Sequence, residues 1–119
     1  MEGGLGELYQ ALAAYTPCEG MALDRLVAAI ARVQAELVLV HPFREGNGRL
    51  SRWVADLMAL QAGYPPLEWG FDWHPVKRRE LYFRALRRGL AMDFSPLEAL
   101  VRKALETSVR LAEDPYAEP

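Results

Sequence analysis

His41-Pro42-Phe43-Arg44-Glu45-Gly46-Asn47-Gly48-Arg49-Leu50-Ser51-Arg52 is the stretch on which the reading of this chain turns. Pro42 ends the helical pattern before it, because a proline pushes the preceding residue out of helical geometry. Gly46 and Gly48 flank Asn47 and allow a tight turn in which no side chain obstructs the backbone amides. Beyond the turn, Leu50, Trp53, Val54, Leu57 and Met58, extended by Leu60, recur at helical spacing. A helix is therefore expected to open near Asn47 or Gly48, to bury that stripe, and to end before Gly63. Its N-terminus carries unsatisfied N–H groups and the positive end of the helix dipole, both of which favour an anion. Arg49 and Arg52 are neighbours on one helical face, and guanidinium groups suit bidentate phosphate contact. Cations in a first turn oppose the dipole, a conflict that an anionic ligand relieves. Glu45 offers a hard oxygen ligand for a magnesium ion shared with phosphates. His41 has the unperturbed pKa of a neutral-pH general base.

Outward from this stretch the pattern is helical. Upstream, Leu23, Leu26, Val27, Ile30, Val33, Leu37 and Val38 give a broad apolar stripe over 21–40, interrupted by Asp24, Arg25, Arg32, Gln34 and Glu36. Those interruptions make it a buried helix rather than a membrane span. Thr16-Pro17-Cys18-Glu19 reads as its capping box, with Pro17 as the first helical residue. Leu5, Leu8, Leu12 and Tyr15 predict a short amphipathic helix over 4–15. Downstream, Gly63, Pro65, Pro66 and Gly70 mark a loop over 63–74. A third helix is expected from Pro75 to Met92, burying Tyr82, Phe83, Leu86 and Leu90. A fourth opens on a second capping box, Ser95-Pro96-Leu97-Glu98, and buries Leu97, Leu100, Val101, Ala104, Leu105 and Val109. Residues 113–119, acidic and proline-bearing, read as a frayed tail. The expectation is an all-α, compact bundle of about five helices.

The 119 residues suit one domain spanning 1–119, with 51% hydrophobic and 25% charged residues. A net charge of −2 argues against a general nucleic-acid surface, and no secretion signal or bilayer-length apolar run is visible. The lone cysteine, Cys18, excludes an internal disulfide framework and points to the reducing cytoplasm.

The stretch from His41 to Arg52 resembles the signature of Fic-domain proteins, His-x-Phe-x-(Asp/Glu)-Gly-Asn-Gly-Arg-x-x-Arg, at every defined position. The long helix before it, Ala62-Gly63-Tyr64, Leu67-Glu68-Trp69 and Asp93-Phe94-Ser95-Pro96-Leu97 are also similar to that family, so the likeness covers 21–105. What the resemblance implies is transfer of AMP from ATP to a Ser, Thr or Tyr hydroxyl of a target protein. Under that resemblance His41 deprotonates the hydroxyl and Glu45 holds magnesium against the α- and β-phosphates. Gly46, Asn47 and Gly48 form the anion hole, with Asn47 steadying the α-phosphate as charge builds. Arg49 binds the β-phosphate, Arg52 the γ-phosphate, and Phe43 anchors the loop. The related Doc-type toxins are kinases with a lysine in place of the second glycine, so Gly48 favours nucleotidyl over phosphoryl transfer.

The family pattern also includes a β-hairpin flap upstream of the long helix that docks the target; no such segment is legible here. An inhibitory helix of the form Ser/Thr-x-x-x-Glu-Gly/Asn is approached by Thr16-Pro17-Cys18-Glu19-Gly20, which is one residue short and fits a helix cap better. Three arrangements follow: an unrestrained enzyme, one inhibited by a separate antitoxin-like protein, or a nucleotide-binding regulatory module without transfer. The same residues also suit removal of AMP from a modified protein, with His41 activating water. Blander readings apply elsewhere. His74, before Pro75, reads as a cap for the third helix. Lys77, Arg78, Arg79, Arg84, Arg87 and Arg88 read as a solvated face. Trp69, Phe71 and Trp73 read as packing residues first and as a border for adenine second. Cys18, at a helix start, has a position that lowers thiol pKa values.

Overall fold

Leu23–Val40 forms the helix around which the others assemble, and we label it α1. The computed structural model describes residues 16–40, 47–71 and 74–116. Within these, α2 spans Asn47–Gln61, α3 spans Pro75–Leu90 and α4 spans Ser95–Glu113, and no strand occurs among the described residues. The architecture is all-α. The helix expected over 4–15 lies outside the described residues, as do 117–119 of the expected tail.

α1 is buried on more than one face: Leu26, Val27, Ala29, Ile30, Ala31, Val33, Ala35 and Val38 all belong to the core. It packs against α2, α3 and α4 alike, and α3 packs against α4. This explains why its hydrophobic pattern was broader than a single stripe. Leu86 of α3 and Leu97, Val101 and Leu105 of α4 complete the same core. Each such side chain contributes roughly 1.5–3 kcal/mol by leaving water. Of the polar residues that interrupt α1, Glu36 pairs with Arg32 at 3.1 Å, and exposed Asp24 pairs with Arg102 of α4. No helix among the described residues is long and apolar enough to cross a membrane.

Both expected capping boxes are replaced by other devices. Ahead of α1, Met21 N–H donates to the Cys18 carbonyl (3.1 Å) across a turn in which Gly20 has φ +76°. A left-handed residue cannot continue a helix, so Pro17 is not the first helical residue and α1 starts only at Leu23. Ahead of α4, Phe94 already has helical angles (φ −87°, ψ −7°), so Ser95 falls inside the helix rather than at its cap. Asp93 takes the capping role instead, accepting the Ser95 N–H at 3.3 Å.

α2 ends as expected and buries Met58 as expected, with Val54 half-buried against the core, but the rest of its inward face differs. Ser51, Ala55, Met58 and Ala59 point inward. Leu50, Trp53, Leu57 and Leu60, expected in the core, are 39%, 65%, 61% and 53% exposed. At about 100° per residue these two sets lie on opposite sides of the helix. Polar anchors set the rotation: Ser51 bonds to buried Tyr82, and the Asp56 carboxylate accepts the Leu67 N–H at 3.0 Å. α3 is shorter than expected. It stops at Leu90, which is 40% exposed, and its buried residues are Tyr82, Ala85, Leu86 and Gly89. Phe83 is half-buried against the core.

Candidate active site

Residues 41–46 connect α1 to α2 in the chain. His41, Pro42, Phe43, Arg44, Glu45 and Gly46 lie outside the described residues, and with them the expected base, metal ligand and first glycine of the anion hole. Asn47, Gly48 and Arg49 form the backbone of the first turn of α2. That turn contains no acidic residue. No carboxylate of that turn competes for its N–H groups and dipole, which is the local chemistry an anion site needs.

Arg52 is the site residue whose side chain is described. Its guanidinium carbon lies 5.1 Å from the centre of the Phe71 ring, a cation–π contact. Phe71 stacks on Trp69 (6.3 Å, 10° between planes), and both rings pack against Tyr82 at 5.8 and 5.0 Å. Arg52 and these rings line one open depression with Trp53, Asp56, Leu67 and Glu68. Arg52 thus faces the loop after α2. The sequence marked Arg52 by the motif, and Asp56 lies four residues on, one turn along the same helix. Phe71 as a neighbour carried no signal there: its proximity depends on how the 62–71 loop folds back, with Glu68 N–H donating to the Ala104 carbonyl of α4 at 3.2 Å.

Beneath Arg52 lies a buried polar cluster that sequence reasoning missed. Gln34 Nε2 of α1 donates to the Tyr82 hydroxyl of α3 at 3.0 Å, and that hydroxyl lies 3.2 Å from Ser51 Oγ of α2. Gln34 Nε2 also lies 3.5 Å from the Ser51 carbonyl. All three residues are fully buried or nearly so. Burial pushes the Tyr82 phenol above its ordinary pKa, against the Ser51 hydrogen bond and the Arg52 charge, so it stays protonated and able to donate. Burial likewise pushes the Asp56 carboxyl up, opposed by the Leu67 N–H and by Arg52.

Other candidates fare less well. Cys18 is buried and its thiol is pushed up by desolvation, despite Arg25 nearby, which is the reverse of an activated thiol. His74 occupies the cap position of α3 but makes no side-chain cap bond, and it is exposed. Trp69 and Phe71 pack against the core and also border the Arg52 depression; Trp73 lies outside the described residues. The basic residues of α3 are exposed except Arg78, which is half-buried. Among the described residues no group of three or more His, Cys, Asp or Glu side chains can hold a metal. A divalent cation at this site would have Glu45 and the ligand's own phosphates as its holders.

The model of the Fic/DOC family matches residues 4–59, which include the whole stretch from His41 to Arg52. Over that region the chain is similar to the Fic/DOC family. Over 91 residues, 76% of its length, it is 37% identical to the protein adenylyltransferase fic-1 of Caenorhabditis briggsae. It is equally identical to fic-1 of Caenorhabditis elegans over 83 residues, 70% of the chain. A third relative, the protein adenylyltransferase Fic of Drosophila erecta, is 28% identical over 109 residues, 92% of the chain. The matched regions are 17%, 15% and 21% of those relatives, so the chain spans only about a fifth of their length. No solved structure matches the chain.

Proposed function

We propose that this chain transfers AMP from ATP to a Ser, Thr or Tyr hydroxyl of a target protein. The observation that carries the reading is the complete motif, with its last six residues in the first turns of α2, inside the region matched by the family model. The names of the relatives, protein adenylyltransferases, support the same reaction.

In this reading His41 accepts the proton of the acceptor hydroxyl as its oxygen bonds to the α-phosphorus of ATP. The bond from that phosphorus to the bridging oxygen breaks, and the electron pair leaves on pyrophosphate. Charge gathers on the α-phosphate oxygens, where the amides of Gly46, Asn47 and Gly48 and the Asn47 side chain would stabilise it. Arg49 and Arg52 would hold the β- and γ-phosphates and so orient the leaving group. Magnesium, held by Glu45 and the phosphates, would neutralise charge on the triphosphate. Arg52 already rests on an aromatic face, which orders its guanidinium without neutralising it. An inhibitory, antitoxin-like protein acting in trans would compete for the same guanidinium. The single, buried thiol fits the cytoplasm.

The test is incubation with ATP labelled at the α-phosphate, followed by detection of label on protein. His41→Ala is expected to lower transfer by about 10²–10⁴-fold, the usual contribution of a general base, while leaving ATP binding near its parent value. Undiminished labelling by that variant would remove His41 from the reaction. Absence of label with the parent chain would remove the reaction itself.

A further inference from the structure

We infer that Tyr82 is the positioning residue for Arg52, holding it from two directions at once. Through its hydroxyl, Tyr82 grips the turn of α2 that carries Arg52: Ser51 Oγ lies 3.2 Å away, and Gln34 of α1 braces the same hydroxyl at 3.0 Å. Through its ring, Tyr82 backs the surface on which the guanidinium rests. Phe71 meets it edge to face at 5.8 Å and 65°, Trp69 tilts against it at 5.0 Å, and Arg52 lies over Phe71 at 5.1 Å. Backbone and head group of the arginine are thus tied to one buried side chain, 1% exposed.

The physical argument concerns entropy and direction. An arginine has many rotamers, and freezing them on ligand binding costs affinity. A guanidinium stacked on a fixed ring has lost part of that freedom before the ligand arrives. The stack is fixed only if Phe71 cannot drift, and Tyr82 closes the space behind it. The hydrogen bonds across α1, α2 and α3 then fix how α2 is rotated, and hence where Arg52 leaves the helix. Gln34, Ser51 and Tyr82 form no part of the motif's own chemistry, yet they set the reach of its last residue. The clamp rests on the geometry; its effect on a triphosphate rests on the function proposed above.

Two measurements test it on the full chain. The first needs no nucleotide. The Arg52 Nε–H resonance, identified by its loss in Arg52→Lys, should be displaced upfield by the Phe71 ring. Phe71→Leu should return it to the position of a solvated arginine, and Tyr82→Phe should move it part of that way. A resonance that stays in place in Tyr82→Phe overturns the hydroxyl half of the clamp, and one that stays in place in Phe71→Leu overturns the stack.

The second compares affinities for ATP and for AMP, which lacks the phosphates assigned to Arg52. Tyr82→Phe should weaken ATP about 2–10-fold, the value of one or two hydrogen bonds, and leave AMP unchanged. In an Arg52→Ala background the same substitution should have no further effect on ATP. Equal losses for both nucleotides, or additivity with Arg52→Ala, would make Tyr82 a general core residue and overturn the inference. If the parent chain binds no ATP, the proposed function falls, and the resonance measurement still decides the clamp. Phe71→Leu, which keeps the apolar volume, carries both measurements should Tyr82→Phe fail to fold.

Discussion

Arg52 is set between an aromatic face and a carboxylate, and the two neighbours act in opposite directions. Phe71 orders the guanidinium without neutralising it, whereas Asp56 competes with any phosphate for its charge. Burial raises the Asp56 pKa above its ordinary value of about 3.9. The folded chain therefore holds that proton more tightly than the unfolded chain does. Asp56 contributes its stability fully below the ordinary pKa, and that contribution is lost as pH rises through the raised one. Asp56→Asn keeps a carbonyl to accept the Leu67 N–H but removes the charge. It is expected to erase this part of the pH dependence of melting and to match or exceed the parent's stability at pH 7. It should also tighten ATP binding severalfold by removing the Asp56 charge beside Arg52. Thermal melts from pH 3 to 7 and a calorimetric titration check both. A variant that keeps the parent's slope, or binds ATP more weakly, would show that the carboxylate is not a burden on the site.

At the scale of elements, α2 and α3 end in the same way with different residues. Tyr64 N–H reaches the Ala59 carbonyl and Gly63 N–H the Leu60 carbonyl after α2. Asp93 N–H reaches Arg88 and Met92 N–H reaches Gly89 after α3. Both are Schellman motifs, which place one residue in left-handed geometry. That residue is Gly63 (φ +88°) in α2 but Met92 (φ +68°) in α3, where a side chain costs about 1 kcal/mol. Met92 is 65% exposed, so little packing is at stake. Met92→Gly should raise stability by about 0.5–1 kcal/mol in denaturant titration, and a loss would mean that the side chain has an unrecognised partner. The rotation of α2 allows a second comparison. Met58→Ala, at a 2% exposed position, should cost about 2–5 kcal/mol, whereas Leu57→Ala, 61% exposed, should cost well under half as much. The reverse order would place the side of Leu50, Trp53, Leu57 and Leu60 in the core, as periodicity suggested for those four. That face was misread because spacing weighs only size and hydrophobicity. Which side of α2 turns inward was decided by Ser51 and Asp56, polar residues whose partners lie in α3 and the loop.

For the molecule as a whole, α1 is the element on which site and core both depend. It contacts each of the other helices, contributes Gln34 to the polar cluster and leads directly into the motif. Ligand binding at the α2 N-terminus should therefore stabilise the entire fold. By mass action, ATP at about 100 times its dissociation constant adds about 2.7 kcal/mol, a rise in melting temperature on the order of 10 °C. AMP at the same concentration should give a smaller rise, because it makes no use of Arg49 or Arg52. Identical shifts with the two nucleotides, or none with either, would show that the arginines do not grip a triphosphate.

Local order in the chain was enough to place the motif at a helix start, to end α2 before Gly63 and to mark α1 as buried, because glycine, proline and helical spacing act within a few residues. It was also enough to point to the family, since the motif is contiguous. What lay beyond it were the Asp93 cap in place of a serine, the inward face of α2, and the Tyr82–Gln34–Ser51 cluster under Arg52. The Asp93 cap is a contact two residues along the chain, settled by where the helix starts; the other two depend on groups from different elements meeting in a medium where an unpaired polar atom is costly, and only the assembled core brings them together.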